Sequence, residues 1–124
     1  MSVLLDSVIL IDHLNDWPEA TEYLRRVHGA SAVSVISRAE VLAGCEPQAR
    51  SAVLRLLDSF PTIGIDKETA DLAAHLRRKH GWRLPDAFQA ALAKLHGLKL
   101  ATRNTRDFPP DRFDFVVAPY RARR

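Results

Sequence analysis

The sequence predicts an α/β protein, a three-layer α/β/α sandwich around a central, mainly parallel sheet of four to five strands. Short apolar runs alternate with helical stretches along the whole chain, which is typical of parallel strands joined by helices. The runs at 3–5 and 98–102 are apolar and too short for helices, so we expect buried strands there. No internal repeat or linker interrupts the alternation, and this favours a single unit.

Composition and charge narrow the class of protein. With 124 residues, 47% hydrophobic and 27% charged, we expect one globular domain over 1–124, with a basic tail at about 119–124. The single cysteine, Cys45, cannot form an internal disulfide and argues against a cysteine metal site. Asp6 and Asp12 interrupt the apolar N-terminal pattern, so we expect no signal peptide. No apolar run approaches the roughly 18 residues that span a bilayer. These observations favour a cytoplasmic protein without membrane contact.

The first half of the chain carries two strand candidates, each followed by a helix. Pro18 opens one helical stretch and Gly29 ends it, and Gly44 and Pro47 end another. The predicted elements are a strand at 3–5, helices at 7–14 and 19–28, a strand at 32–35, and helices at 36–44 and 48–60.

The second half contains the clearest boundary signals. Asp66 is a candidate N-cap for a helix over 67–80 that Gly81 ends. Pro85 suits the first turn of the next helix, which Gly97 ends after His96. We expect strands at 62–65 and 98–102, and a fifth, edge strand at 115–117 before a proline.

Acidic residues stand at the ends of these elements. Asp6 ends the first strand, Glu40 lies in the helix after the second strand, and Asp86 begins the central helix. Asn104 and Asp107 follow the fourth strand, and either could occupy the same position in a site. Structural roles are alternatives: Asp6 could cap the next helix, and Asp86 with Gln89 has the spacing of a capping box.

A cluster of these side chains would form a site for a hard cation. Neighbouring carboxylates repel one another unless a cation neutralises them or some stay protonated. Mg²⁺ or Mn²⁺ suits an all-oxygen site and can activate water for phosphodiester hydrolysis. The sequence has no G-x-S-x-G elbow, P-loop or dinucleotide glycine pattern, which argues against those classes of enzyme.

Basic residues cluster before the central helix and at the C-terminus. Such clusters can hold phosphate backbones, although a solvated helix face and a frayed tail explain them equally well. The first cluster consists of His75, Arg77, Arg78, Lys79, His80 and Arg83, and the second of Arg121, Arg123 and Arg124.

Four motifs together resemble the PIN domain, and more narrowly the VapC-type ribonuclease toxins of bacterial toxin–antitoxin pairs. They are V-L-L-D-S at the start, S-x-x-E-V-L-A-G around Glu40, L-P-D-A-F-Q-A-A-L-A, and L-A-T-R-N-T-R-D-F. Each motif is weak alone, but the four occur in the family's order from Val3 to about Ala118. The resemblance implies an α/β/α endoribonuclease that binds Mg²⁺ or Mn²⁺ through carboxylates.

The resemblance also implies roles for individual residues. Asp6, Glu40 and Asp86 correspond to the family's acidic site residues, and Asp107 or Asn104 to the fourth. Ser7 would orient a metal-bound water, and the Thr102 hydroxyl would line the site. We further predict phosphate contacts from Arg77, Arg78, Lys79 and Arg83. The implied partners are an RNA substrate, a VapB-like antitoxin and a second copy of the chain in a homodimer.

Two other functions compete with this interpretation. A phosphoacceptor receiver domain has a similar length and alternation, and Asp66 would be its phosphorylated residue. It would need an acidic pair where this chain has Asp6 and Ser7, and a lysine after the last strand, where Ala118 and Pro119 stand. A PIN fold that acts as a binding module, with weak or no catalysis, is the second alternative.

Overall fold

The computed structural model describes residues 1–121, and it contains a five-stranded sheet in the order β3-β2-β1-β4-β5. Every neighbouring pair of strands is parallel, and helices cover both faces, which confirms the predicted fold class. The strands are β1 (Val3–Leu5), β2 (Ser31–Ser34), β3 (Thr62–Ile63), β4 (Lys99–Ala101) and β5 (Val116–Val117). The helices are α1 (Ser7–Leu14), α2 (Pro18–Val27), α3 (Val35–Gly44), α4 (Arg50–Asp58), α5 (Lys67–His80) and α6 (Leu84–His96).

Helix boundaries follow local side-chain chemistry. The Asp66 carboxylate accepts a hydrogen bond from the Thr69 backbone N–H at 2.9 Å, so the predicted N-cap of α5 is confirmed. Gly81 and Gly97 end α5 and α6 with φ of 73° and 65°, in the left-handed region that favours glycine. Both predicted stops are confirmed.

Some boundaries differ from the predictions by a few residues. The second strand ends at Ser34 instead of residue 35 because the Ser34 hydroxyl accepts from the Ser37 N–H at 3.0 Å and caps α3. The strand predicted at 62–65 is confined to Thr62–Ile63, and the helix predicted at 48–60 begins as a 3₁₀ turn, Pro47–Ala49. Residues 122–124 of the predicted basic tail lie outside the described residues.

Two hydrophobic cores lie on opposite faces of the sheet. Leu4 and Leu100 pack against α5 and α6, whereas Leu5, Val33 and Ala101 pack against α1, α3 and α4. Successive side chains of a strand point to opposite faces, so one strand supplies both cores. This explains why consecutive residues of β1, Val3–Leu5, are all apolar. Among residues 1–121, no helix is long and apolar enough to cross a membrane.

The strand order places a crevice between β1 and β4. The chain moves from β1 towards β3 on one side and returns to β4 on the other, so the direction of winding reverses at this pair. Ligands of parallel α/β sheets bind outside the carboxyl ends of strands at such a reversal. Asp6 follows β1 and Thr102 follows β4, and the Asp6 N–H donates to the Ala101 carbonyl at 2.9 Å.

Candidate active site

A cleft of about 530 Å³ opens at this edge of the sheet. All four carboxylates that the sequence singled out line it, together with Asn104 and the predicted supporting residue Ser7. Its lining consists of Asp6, Ser7, Val8, Glu40, Arg83, Asp86, Arg103, Asn104, Thr105, Arg106 and Asp107. The tertiary structure therefore gathers side chains that are up to about one hundred residues apart in the chain.

Asp6 is the most buried of the four carboxylates, with 7% of its surface exposed. Its Oδ1 accepts from the Ser7 N–H at 2.9 Å, and its Oδ2 accepts from the Thr102 hydroxyl at 2.7 Å. Burial raises the pKa of Asp6, against the opposing effect of these hydrogen bonds. Asp6 therefore caps α1 and also faces the cleft, so the two roles considered from the sequence coexist.

Gln89 supports Asp6 from beneath. It is 1% exposed; its side-chain oxygen accepts from the Ser34 hydroxyl at 2.6 Å, and its nitrogen donates to the Ser37 hydroxyl at 2.7 Å. The same nitrogen is 3.4 Å from Asp6 Oδ1. The capping-box alternative for Asp86 is wrong, because Gln89 points into the protein and Arg83, at the N-cap of α6, makes no side-chain cap bond.

Asp86 lies half-buried in the first turn of α6. Burial raises the pKa of Asp86 to about 6, and repulsion from Asp6, Asp107 and Glu40 adds to the increase, while Arg83 opposes it. Glu40 is exposed on α3 and lines the cleft. The other three carboxylates of the cleft thus act electrostatically on Asp86.

Asn104 and Asp107 are partners. The Asn104 amide donates to the Asp107 carboxylate at 3.0 Å, and the Asp107 N–H donates to the Asn104 side-chain oxygen at 3.4 Å. The Thr102 hydroxyl accepts from the Asn104 N–H at 3.0 Å and links this loop to Asp6. The sequence treated the two residues as alternatives for one position, whereas the structure has Asn104 holding Asp107.

The donor set fits a hard divalent cation. Every candidate ligand is a carboxylate or amide oxygen, the type that Mg²⁺ and Mn²⁺ prefer. The repulsion felt by Asp86 is the kind that a bound cation relieves. Within residues 1–121, however, no three Asp, Glu, His or Cys side chains are grouped as a ready metal site. Water molecules, which Mg²⁺ usually retains, would complete such a shell.

The four basic residues that were predicted to contact phosphate lie at different places in the structure. Arg83 lines the cleft, and Lys79 lines a neighbouring pocket that shares Arg106 and Asp107 with it. Arg77 donates to the Trp82 carbonyl at 2.6 Å and thereby anchors the connection between α5 and α6. Arg78 is exposed on α5.

Sequence reasoning missed Arg103 and its buried partner. Arg103 donates to both carboxylate oxygens of Asp12, at 2.6 and 3.0 Å, and lies over the Trp17 ring at 4.8 Å. The Tyr120 hydroxyl donates to the same carboxylate at 2.8 Å. Asp12 is only 2% exposed. An aspartate within the apolar stretch S-V-I-L-I-D-H-L was a usable signal, because a buried charge requires a partner.

A parallel sheet with an acidic cleft at the carboxyl ends of its strands is an arrangement that comparison with known proteins assigns to one family. The family model of the PIN domain matches residues 3–113. The chain belongs to the PIN-domain family. This confirms the resemblance found in the sequence motifs and overturns the receiver-domain alternative, whose candidate Asp66 caps α5 away from the cleft lining.

Three known proteins are similar to the chain over most of its length. It is 38% identical over 114 residues to ribonuclease VapC10 of Mycobacterium tuberculosis, covering 86% of each chain. It is similar to a chain of a toxin–antitoxin complex from Klebsiella pneumoniae, with 36% identity, a TM-score of 0.88, and 98% and 100% of the two chains covered. FitAcB from Neisseria gonorrhoeae is 25% identical with a TM-score of 0.75, over 94% and 97% of the two chains.

Proposed function

We propose that the protein is a metal-dependent endoribonuclease that hydrolyses RNA phosphodiester bonds, with residues 1–124 forming one nuclease domain. The observation that carries this proposal is the single cleft lined by Asp6, Glu40, Asp86 and Asp107 at the carboxyl ends of the strands. The 38% identity to a protein named as a ribonuclease supports the choice of reaction.

The residues of the cleft divide into ligands and supports. Asp6, Glu40, Asp86 and Asp107 would hold Mg²⁺ or Mn²⁺, which supplies an activated water and neutralises developing charge on the phosphate. Thr102 and Gln89 hold the Asp6 carboxylate, and Asn104 holds that of Asp107. Ser7, which also lines the cleft, would orient a water beside Asp6.

Phosphate binding falls to the arginines of the cleft. Arg83, Arg103 and Arg106 line it beside the carboxylates. The guanidinium of Arg103 is held by Asp12, so its position is fixed before substrate arrives. A fixed guanidinium needs little reorganisation when negative charge develops on the phosphate.

Cleavage of total RNA by the purified protein tests the proposal. We expect cuts with Mn²⁺ or Mg²⁺, none with chelator, and a loss of at least about a hundredfold in the Asp6→Asn and Asp86→Asn variants. Asp71→Asn, which alters an exposed aspartate of α5, is the matched control and should cut normally. Cutting that survives both active-site changes would contradict the proposed site.

We further propose that the protein acts as the toxin of a toxin–antitoxin pair in the cytoplasm, as a homodimer inhibited by a VapB-like antitoxin. The similarity to a chain of the Klebsiella pneumoniae toxin–antitoxin complex supports the partner. Expression of the chain alone should arrest growth, co-expression with the antitoxin should restore it, and Asp86→Asn should be harmless. Sedimentation of the purified chain tests the dimer.

A catalytically weak binding module is the second candidate. One observation favours it: in the described part of the chain, no three potential ligands are grouped as a ready metal site. Metal binding alone does not separate the two candidates, whereas turnover does. RNA retention without cleavage under any metal, by folded protein free of antitoxin, would support the binding module.

A further inference from the structure

Four cavities follow one another over the surface, starting at the catalytic cleft. The cleft shares Arg106 with a pocket of about 250 Å³, which in turn shares Lys79 and Arg112 with a pocket of about 320 Å³. That pocket shares Lys94 with a fourth cavity of about 430 Å³, which also includes Lys99. A cation therefore stands at every junction between one cavity and the next.

These cations are exposed and unneutralised. Arg106, Lys79, Arg112, Lys94 and Lys99 all have exposed side chains. None of them takes part in a salt bridge within residues 1–121, where the ion pairs involve other arginines. Lys99 donates to the backbone carbonyl of Asp114 and leaves its own charge unpaired.

An acidic residue lines each of the four cavities beside the cations. Asp107 lines the first pocket, beside the catalytic cleft, and Asp114 lines the two cavities farthest from it. Three of the cations also act on His80, which lines the two middle pockets. Burial lowers the pKa of His80, and the charges of Lys79, Arg112 and Lys94 lower it further.

Aromatic rings lie among the cations. His80 stacks on Trp82 with centroids 4.3 Å apart, and the Phe113 ring meets His80 edge-on at 5.2 Å. His80 and Phe113 line both middle pockets and are only partly buried. Cations interleaved with aromatic faces are the usual composition of a surface that follows a single nucleic-acid strand.

We propose that Arg106, Lys79, Arg112, Lys94 and Lys99 form a basic track that binds the phosphates of single-stranded RNA on one side of the cleaved bond. The inference rests on the proposed ribonuclease function. One measure of the track's reach is α6, along which the first residue, Leu84, and Lys94 in the last turn are about 15 Å apart. Of the predicted phosphate contacts, Lys79 belongs to the track, whereas Arg77 is bonded to the Trp82 carbonyl.

Salt-dependent binding tests the track directly. The probe is a fluorescent oligo-uridine about a dozen nucleotides long, with chelator present to prevent cleavage. The triple variant Lys79→Gln, Lys94→Gln and Arg112→Gln should bind more weakly, and its plot of log affinity against log salt should be shallower by about 2, because each lost contact contributes about 0.7. Arg26→Gln, Arg50→Gln and Arg55→Gln, on the opposite layer, form the matched control and should change neither value.

Cleavage measurements separate this inference from the proposed function. On long RNA the track variant should show a KM raised at least tenfold with kcat retained, whereas cleavage of a dinucleotide that cannot reach the track should be unchanged. If the unaltered protein cleaves nothing, the proposed function fails, and the binding experiment still tests the track. An unchanged salt slope in the triple variant would overturn the track. An equal loss of RNA affinity in the control variant would do the same, as would a triple variant that loses antitoxin binding but keeps its RNA affinity.

Discussion

Asp6 shows how one residue serves both folding and the proposed chemistry. Its carboxylate begins α1 through the Ser7 N–H and is held in the cleft by Thr102. Buried carboxylates tolerate such a position only with hydrogen-bond donors around them. The environment of Asp6 is therefore built by residues that need not touch substrate.

Gln89 is the residue whose loss should reveal this support. Replacing Gln89 with Leu removes partners of Ser34 and Ser37, and an unsatisfied buried polar group costs about 1–3 kcal/mol. We expect the free energy of unfolding to fall by about that amount in urea titrations. Gln48→Leu, at an exposed glutamine, is the control. Equal stability of the two variants would contradict the role assigned to the network.

His80 should make stability depend on pH. Its folded pKa is lowered by burial against Trp82 and Phe113, so the unfolded chain binds a proton more readily than the native protein. The contribution of His80 is complete above its unfolded pKa, near 6.5, and declines as the pH falls through and below that value. Repulsion from Lys79, Arg112, Lys94 and His75 lowers the pKa of His80 in the same direction as burial does.

Urea unfolding at pH 7.5 and 5.5 measures this effect. When the pH falls from 7.5 to 5.5, the free energy of unfolding should decrease less, or increase more, in His80→Phe than in the unaltered protein. Comparison of variants removes the contributions of Asp6 and Asp86, whose raised pKa values act in the opposite direction. An identical pH dependence in both proteins would show that His80 is not the responsible group.

At the scale of elements, α6 joins the site to the sheet. Asp86 lies in its first turn, Gln89 in its second, and Gly97 ends it directly before β4, which leads to Thr102. A displacement of this helix would move residues on both sides of the cleft. Its end at Gly97 is therefore important for the site as well as for the fold.

Gly97→Ala tests that end. At a φ of 65°, an alanine Cβ is strained by about 1–2 kcal/mol, although no atom lies within 4 Å of its position. We expect a corresponding loss of stability by thermal or chemical denaturation. Gly44→Ala, at a glycine of α3 that has no positive φ and equally open surroundings, should leave stability unchanged or slightly higher. A similar loss in both would assign the effect to something other than φ.

At the scale of the whole molecule, the cleft is assembled from both layers of helices. Asp6 and Glu40 come from the side of α1 and α3, whereas Asp86 comes from α6, and the loop after β4 supplies Asp107. The repulsion among them acts between these elements. A ligand that removes the repulsion should therefore stabilise the entire fold.

Mn²⁺ or Mg²⁺ should accordingly raise the melting temperature. A cation that binds only the folded protein adds about 2.7 kcal/mol at a hundred times its Kd. Differential scanning fluorimetry with increasing metal should show the rise, and chelator should reverse it. Asp86→Asn should abolish most of the rise but should itself melt at a higher temperature without metal, since it removes the repulsion. A metal effect of equal size in that variant would place the cation elsewhere.

The sequence alone predicted the parts of this protein that depend on local chemistry. Helix caps and stops such as Asp66, Gly81 and Gly97 act within four residues of themselves, so their pattern is visible along the chain. The acidic residues at element ends were also visible, because a parallel sheet brings the carboxyl ends of its strands to one edge. Motif order identified the family.

The tertiary structure decided the pairings. Gln89 meets Asp6 across 83 positions, and Arg103 meets Asp12 across 91. Asn104 proved to be the partner of Asp107, and Arg77 the partner of the Trp82 carbonyl. Such contacts depend on how the two layers of helices pack on the sheet. No local spacing encodes them, because side chains far apart in sequence become neighbours only when strand order and packing are set.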